Sequence, residues 1–158
     1  MSELRLEGLP SFLKSADKLQ LAGNFKYLVS IVGYSPEPPI MFIKALRQDN
    51  NLKKVLFIST SQSRTKVDII VNETSLKPSE FDIWDIKSKT DVPKIYEKIK
   101  EFARKFPHKE ILIDATAGTK PMTAAAVMAG AILNLKVAYA DYAKYDQERR
   151  RPVPESQF

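Results

Sequence analysis

The stretch Asp114-Ala115-Thr116-Ala117-Gly118-Thr119-Lys120-Pro121-Met122 places a flexible glycine, two hydroxyls and a cation within a few residues of one another. Read as a strand-to-helix turn, it sets Lys120 in the first helical turn, where a positive charge opposes the helix dipole. That placement is useful when an anion lies between the ammonium and the free helix amides; otherwise the side chain extends into water. Two more stretches offer related chemistry. One is Gly33-Tyr34-Ser35-Pro36-Glu37-Pro38-Pro39, and the other is the hydroxyl-rich Ser59-Thr60-Ser61-Gln62-Ser63-Arg64. Tyr34 and Trp84 can each stack on a nucleobase or close over a core. Asp114 can act as an acid or accept hydrogen bonds from its own turn.

These residues do chemistry together only if the chain folds so that the three turns meet. Apolar runs bounded by turn signals occur at 27–33 (YLVSIVG), 54–60 (KVLFIST), 81–86 (FDIWDI), 110–115 (EILIDA) and 136–141 (KVAYAD). Their continuous, β-branched character predicts strands covered on both faces. Helical segments fall between them at 36–48, 63–74, 91–106 and 120–134. In the third, Ile95, Ile99, Phe102 and Phe106 share one face opposite Lys and Glu. Thr90 or Asp91 is placed to cap that helix, and Ser35 to cap the first with Pro36 at its opening position. Strict alternation of strand and helix predicts an α/β, Rossmann-like doubly wound, mainly parallel sheet. Ligands of such sheets bind beyond the carboxyl ends of the strands, where all three polar turns fall. His108 precedes the fourth strand and lies at the opposite edge.

Composition narrows the chemistry further. The 158 residues are 44% hydrophobic and 28% charged, with five glycines, as in a folded globular domain. A chain of this size buries roughly 70% of its unfolded surface in one core. The absence of cysteine excludes disulfides, thiol catalysis and cysteine zinc sites, and a single histidine excludes a multi-histidine metal site. No metal or cofactor is expected. The formal net charge of +6 favours anionic partners, although Lys and Arg are scattered. No run approaches the roughly 20 apolar residues that span a bilayer, and the reducing cytoplasm is the expected compartment. The division expected is an N-terminal arm or linker at 1–24, a domain at 25–146 and a proline-containing exit segment at 147–158.

The motifs also exclude familiar functions. Only Gly33 follows the first strand, so the dinucleotide fingerprint GxGxxG is missing, and TAGTKP does not match GxxxxGK[ST]. There is no GxSxG elbow and no usable Ser, His, Asp set. At VGYSPEP, FISTSQS and DATAGTKPM, however, the sequence resembles the CARF domains, the CRISPR-associated Rossmann-fold sensors of type III CRISPR systems. The likeness covers residues 26–158, and GTKPM is its most specific part. Ala117 departs from the TGGTK pattern usual in that family.

The resemblance implies a homodimer whose paired strand ends form one two-fold symmetric pocket for a cyclic oligoadenylate, in the first place cyclic tetra-adenylate, or else cyclic hexa-adenylate. It carries ligand contact over to Tyr34 and Ser35, to Thr60, Ser61 and Gln62, and to Thr116, Gly118, Thr119, Lys120 and Met122, with Arg64 and Trp84 as further candidates. Two function classes follow. In the favoured one the domain is a sensor that controls an effector segment allosterically. In the alternative it is a metal-independent ring nuclease leaving 2',3'-cyclic-phosphate products, in which Lys120, Ser35 and Ser61 would assist. The unassigned arm and linker-like exit suit an effector part separated from this chain, and a membrane tether if that part lay upstream. Family effectors include nucleases, deaminases, DNA-binding and membrane-spanning modules. Duplex nucleic acid is not an expected partner. A nucleotide-binding protein outside CRISPR immunity is the third reading.

Overall fold

The computed structural model describes residues 23–88 and 90–140. The expected exit segment 147–158 and nearly all of the expected arm lie outside the described residues. Among the described residues five strands and four helices alternate: β1 (Tyr27–Ile31), α1 (Glu37–Asn50), β2 (Lys54–Thr60), α2 (Arg64–Thr74), β3 (Phe81–Ile86), α3 (Val92–Ala103), β4 (Ile111–Asp114), α4 (Lys120–Leu133) and β5 (Lys136–Ala138). Short 3₁₀ turns at Pro78–Glu80 and His108–Glu110 lead into β3 and β4.

The strands form one sheet in the order β3-β2-β1-β4-β5, and every pairing is parallel. Both faces are covered, which is why the strands read as continuous apolar runs. On one face Leu28, Val55 and Phe57 pack beneath Phe42 and Leu46 of α1 and Val67 and Ile70 of α2. On the other, Val29, Ile31, Ile58 and Ile113 pack against Ile95 and Ile99 of α3 and Ala125, Ala126 and Ala129 of α4. Each fully buried Leu, Ile or Phe contributes about 1.5–3 kcal/mol relative to exposure. This is the expected doubly wound α/β architecture. Because β2 and β4 flank β1 on opposite sides, the strand order reverses between β1 and β4, and a crevice opens beyond their carboxyl ends.

Three local expectations are corrected. Helix α1 starts one residue late, with Pro36 and not Ser35 at its cap and no side-chain bond there. Pro38 and Pro39 carry no amide hydrogens, so the first turn has few donors for a serine to satisfy. Helix α3 stops at Ala103, short of Phe106. Phe106 precedes Pro107, which disfavours helical backbone, and its ring instead stacks on Tyr27 at 3.9 Å between centroids. Strands β1 and β4 are also shorter than their apolar runs, since Val32, Gly33 and Ala115 belong to the turns. Asp91 does cap α3, its carboxylate accepting the Lys94 amide at 3.3 Å.

Candidate functional site

The turn after β1 leaves the sheet with the Val32 amide donating to Ile58 O at 2.8 Å, which continues the ladder by one residue. Gly33 follows, and then Tyr34, whose side chain is 89% exposed. An aromatic ring so fully presented at a strand end buries almost none of its own surface.

The turn after β2 is closed by a reciprocal clasp. The Thr60 amide donates to Ser63 Oγ at 2.9 Å, while the Ser63 amide donates to Thr60 O at 3.1 Å and Thr60 Oγ1 at 3.2 Å. Ser63 is buried, and Ser61 and Gln62 stand exposed at the tip. Arg64 leans towards the end of β3 and pairs with Asp85 Oδ2 at 3.5 Å; the other Asp85 oxygen accepts the Ser59 hydroxyl.

The turn after β4 is anchored from within. Asp114 is fully buried, and its Oδ1 accepts the Thr116 amide at 3.0 Å. Thr116 Oγ1 in turn accepts the Ala140 amide at 2.8 Å, tying the turn to the chain beyond β5. Burial pushes the Asp114 carboxyl up from 3.8 to about 7, against the opposing effect of its bonds from Thr116. Gly118 sits at φ +99°, a backbone region that side chains disfavour. Ala117 does not have a positive φ, so an alanine in place of the usual second glycine leaves the turn unstrained. Thr119 caps α4, its Oγ1 accepting the Met122 amide at 3.4 Å. Lys120 is exposed at the first helical position.

These turns meet in one cleft of about 200 Å³. Tyr34 lines it from the first turn, Thr60 and Gln62 from the second, and Gly118, Thr119 and Met122 from the third. Six of the sequence candidates are thus brought together. Ser35, Ser61, Arg64, Thr116 and Lys120 belong to the same turns but are not among the lining residues. Trp84 lies apart, half-buried against the α3 side of the core with the Lys98 ammonium 5.9 Å from its ring. Ser63 also lines the cleft; it belongs to the hydroxyl-rich stretch, but as the expected first residue of a helix nothing in its sequence position set it apart as a contact. His108 lies at the far end of the sheet, its Nδ1 3.1 Å from Leu133 O.

Chemically, the cleft joins half-buried threonine hydroxyls, the exposed Gln62 amide and the exposed Tyr34 ring to the N-terminus of α4, which favours an anion with planar bases attached. A second recess of about 250 Å³ lies between β3 and α3. Its Lys98 and Lys105 are matched by Asp82 and Glu101, so it offers no excess positive charge. Among the described residues there is no cluster of acidic or histidine side chains suited to a metal, and no helix long and apolar enough to cross a membrane.

Comparison with known proteins places this architecture. Residues 27–147 match the family model of the Card1 CARF domain. The CRISPR system endoribonuclease Csm6 of Thermus thermophilus is 30% identical over 135 residues, which cover 81% of this chain and 27% of that protein. The chain therefore spans about a quarter of the length of the curated relative it matches. Among solved structures, Can2 of Sulfobacillus thermosulfidooxidans in complex with cyclic tetra-adenylate superposes with a TM-score of 0.59 at 18% identity, over 75% of this chain and 33% of that one. The protein VC1899 of Vibrio cholerae superposes at 0.57 with 14% identity, over 74% and 31% of the two chains. At these identities the two structures speak for the fold.

Proposed function

The chain belongs to the CARF family of type III CRISPR systems, and from that premise we propose that its strand-end cleft is one half of a two-fold symmetric pocket for a cyclic oligoadenylate, cyclic tetra-adenylate in the first place. The observation that carries this reading is the convergence of Tyr34, Thr60 and Thr119, remote in sequence, on a single cleft. The Can2 complex with cyclic tetra-adenylate supports the choice of ligand. Phosphates meet the amino end of α4, Lys120 and the threonine hydroxyls, while adenines use the Tyr34 ring and peptide groups. The domain assigned this role is taken as 25–146.

One cleft of about 200 Å³ falls below the roughly 300–1,000 Å³ of pockets that enclose drug-sized ligands, and a tetranucleotide ring is larger still. A second protomer supplies the other wall, and a symmetric ring then makes each contact twice. The exposed side of α4 supports that pairing: Val127, Met128 and Ile132 are 49%, 40% and 60% exposed, and no charged residue follows Lys120 in the helix. A helix apolar on every side is normally covered. α4 also begins at the cleft, so a seam along it carries the ligand residues to the two-fold axis.

The domain acts as a sensor, with ring binding shifting the dimer between two arrangements that govern an effector segment. Ser35 and Ser61, the hydroxyls that would assist cleavage, are not among the residues lining the cleft, which suits holding a ligand more than cutting it. Incubation with cyclic tetra-adenylate, followed by chromatography, tests this. Intact ring retained in proportion to protein is the expected result; multiple-turnover linear product would establish the ring nuclease instead.

A further inference from the structure

The two cations on the first turn of α2 differ in what neutralises them. Arg64 pairs with Asp85 at 3.5 Å. Lys66, two residues on, has no carboxylate partner among the described residues and lies over the Tyr34 ring, 5.0 Å from its centroid. Tyr34 lines the cleft and is 89% exposed, so neither ring face is committed to the core. A cation over one face of an aromatic ring restrains the ring by its quadrupole and leaves the opposite face free. Lysine on a helix surface reads as solvated in any sequence, and no strand-end motif singles this one out.

We propose that Lys66 is a ligand-positioning residue of the cleft: it holds the Tyr34 ring so that the free face receives a nucleobase, and its unpaired ammonium meets a phosphate of the same ligand. This rests on the cyclic oligoadenylate reading above. Two different groups of one nucleotide are then read by a single contact pair. The ammonium is available for the phosphate because the ring, unlike a carboxylate, leaves its charge uncompensated.

The test is calorimetric titration of the wild-type protein, Lys66→Met, Lys66→Arg, Tyr34→Leu and the double variant with cyclic tetra-adenylate at two salt concentrations. Lys109→Met serves as a charge-matched control from the opposite end of the sheet. Expected are a weakening of about tenfold or more in Lys66→Met and recovery to within about threefold in Lys66→Arg, as for a charge-assisted hydrogen bond. The log–log salt slope falls by about 0.7 when the charge is removed, and the Lys66→Met effect shrinks in the Tyr34→Leu background. Melting temperatures of all variants should stay close to the wild type, since Tyr34 is exposed and Lys66 is only half-buried on the helix surface, with no side-chain hydrogen bond or ion pair to lose among the described residues. If the wild type binds and Lys66→Met binds equally well with the same salt slope, this proposal alone is overturned. A wild type that binds no ring overturns the ligand reading, and this proposal with it.

Discussion

Gly33 and Gly118 meet backbone to backbone. A Cβ built on Gly33 would stand 2.3 Å from the Gly118 nitrogen and 2.9 Å from its Cα, and both obstructing atoms are main chain. Gly118 is itself wedged against the Ile31 side chain, where a Cβ would come within 2.5 Å of Cγ2. The turns after β1 and β4 are therefore pressed together across the point where strand order reverses, and this contact brings Tyr34 and Thr119 to one cleft.

Gly33→Ala should accordingly cost about 1–3 kcal/mol, the range for overpacking a site that cannot yield. In a chain of this size that lowers the melting temperature by about 2–4 °C per kcal/mol. Thermal unfolding checks it, and an unchanged melting temperature would show that the two turns separate freely.

Asp114 and Ser30 are register partners on β4 and β1, and both are fully buried. Among the described residues, neither Asp114 Oδ2 nor Ser30 Oγ has a hydrogen-bond partner. The folded carboxyl keeps its proton up to about pH 7, whereas its ordinary value is 3.8. Between those values the native state binds more protons than the unfolded state, so this group's contribution to stability is complete below about pH 4 and is lost as pH rises to about 7. The shift corresponds to about 4 kcal/mol. Asp114→Asn should remove this dependence and be the more stable form at pH 8, as read from urea midpoints at pH 4.5 and 8. Parallel pH profiles for the two proteins would contradict the assignment.

Lys120→Ala should weaken ring binding by about 1–3 kcal/mol, the scale of a hydrogen bond to a charged group. Stability should hold or rise by a few tenths of a kcal/mol, because the lysine opposes the dipole of α4. Titration and melting together separate the two effects. Unchanged affinity would remove Lys120 from the phosphate site.

Ile132→Glu tests the seam along α4. At 60% exposure the side chain contributes little to the protomer's own core, so folding should persist while sedimentation shifts from dimer to monomer and ring affinity falls. A variant that remains dimeric would place the seam elsewhere.

Much of this was legible in the sequence because parallel strands covered on both faces leave an unmistakable run of apolar residues, as in Val55–Leu56–Phe57–Ile58. The three polar turns followed from the rule that such sheets bind ligands beyond their strand ends. What could not be read was how each side chain divides its bonds. Ser35 looked like a cap, yet three prolines in the segment left that cap little to satisfy. Thr119 looked like a ligand contact and also proves to be the cap of α4. Trp84 could be read either as a stacking platform or as a lid on the core, and its place in the strand alternation, on the same face as Ile86, sets it against the α3 side of the core. Ser63 and Lys66 matter only through partners that folding brings near, Thr60 and Tyr34, and composition carries no signal of such pairings.

Whether two protomers share one ring is decided by the stoichiometry of binding, measured by calorimetry with cyclic tetra-adenylate on protein of known oligomeric state. Saturable binding of one ring per two protomers is expected, abolished when Tyr34, Thr60 and Thr119 are all replaced by alanine. One ring per protomer, or no heat with either cyclic tetra-adenylate or cyclic hexa-adenylate, would contradict it.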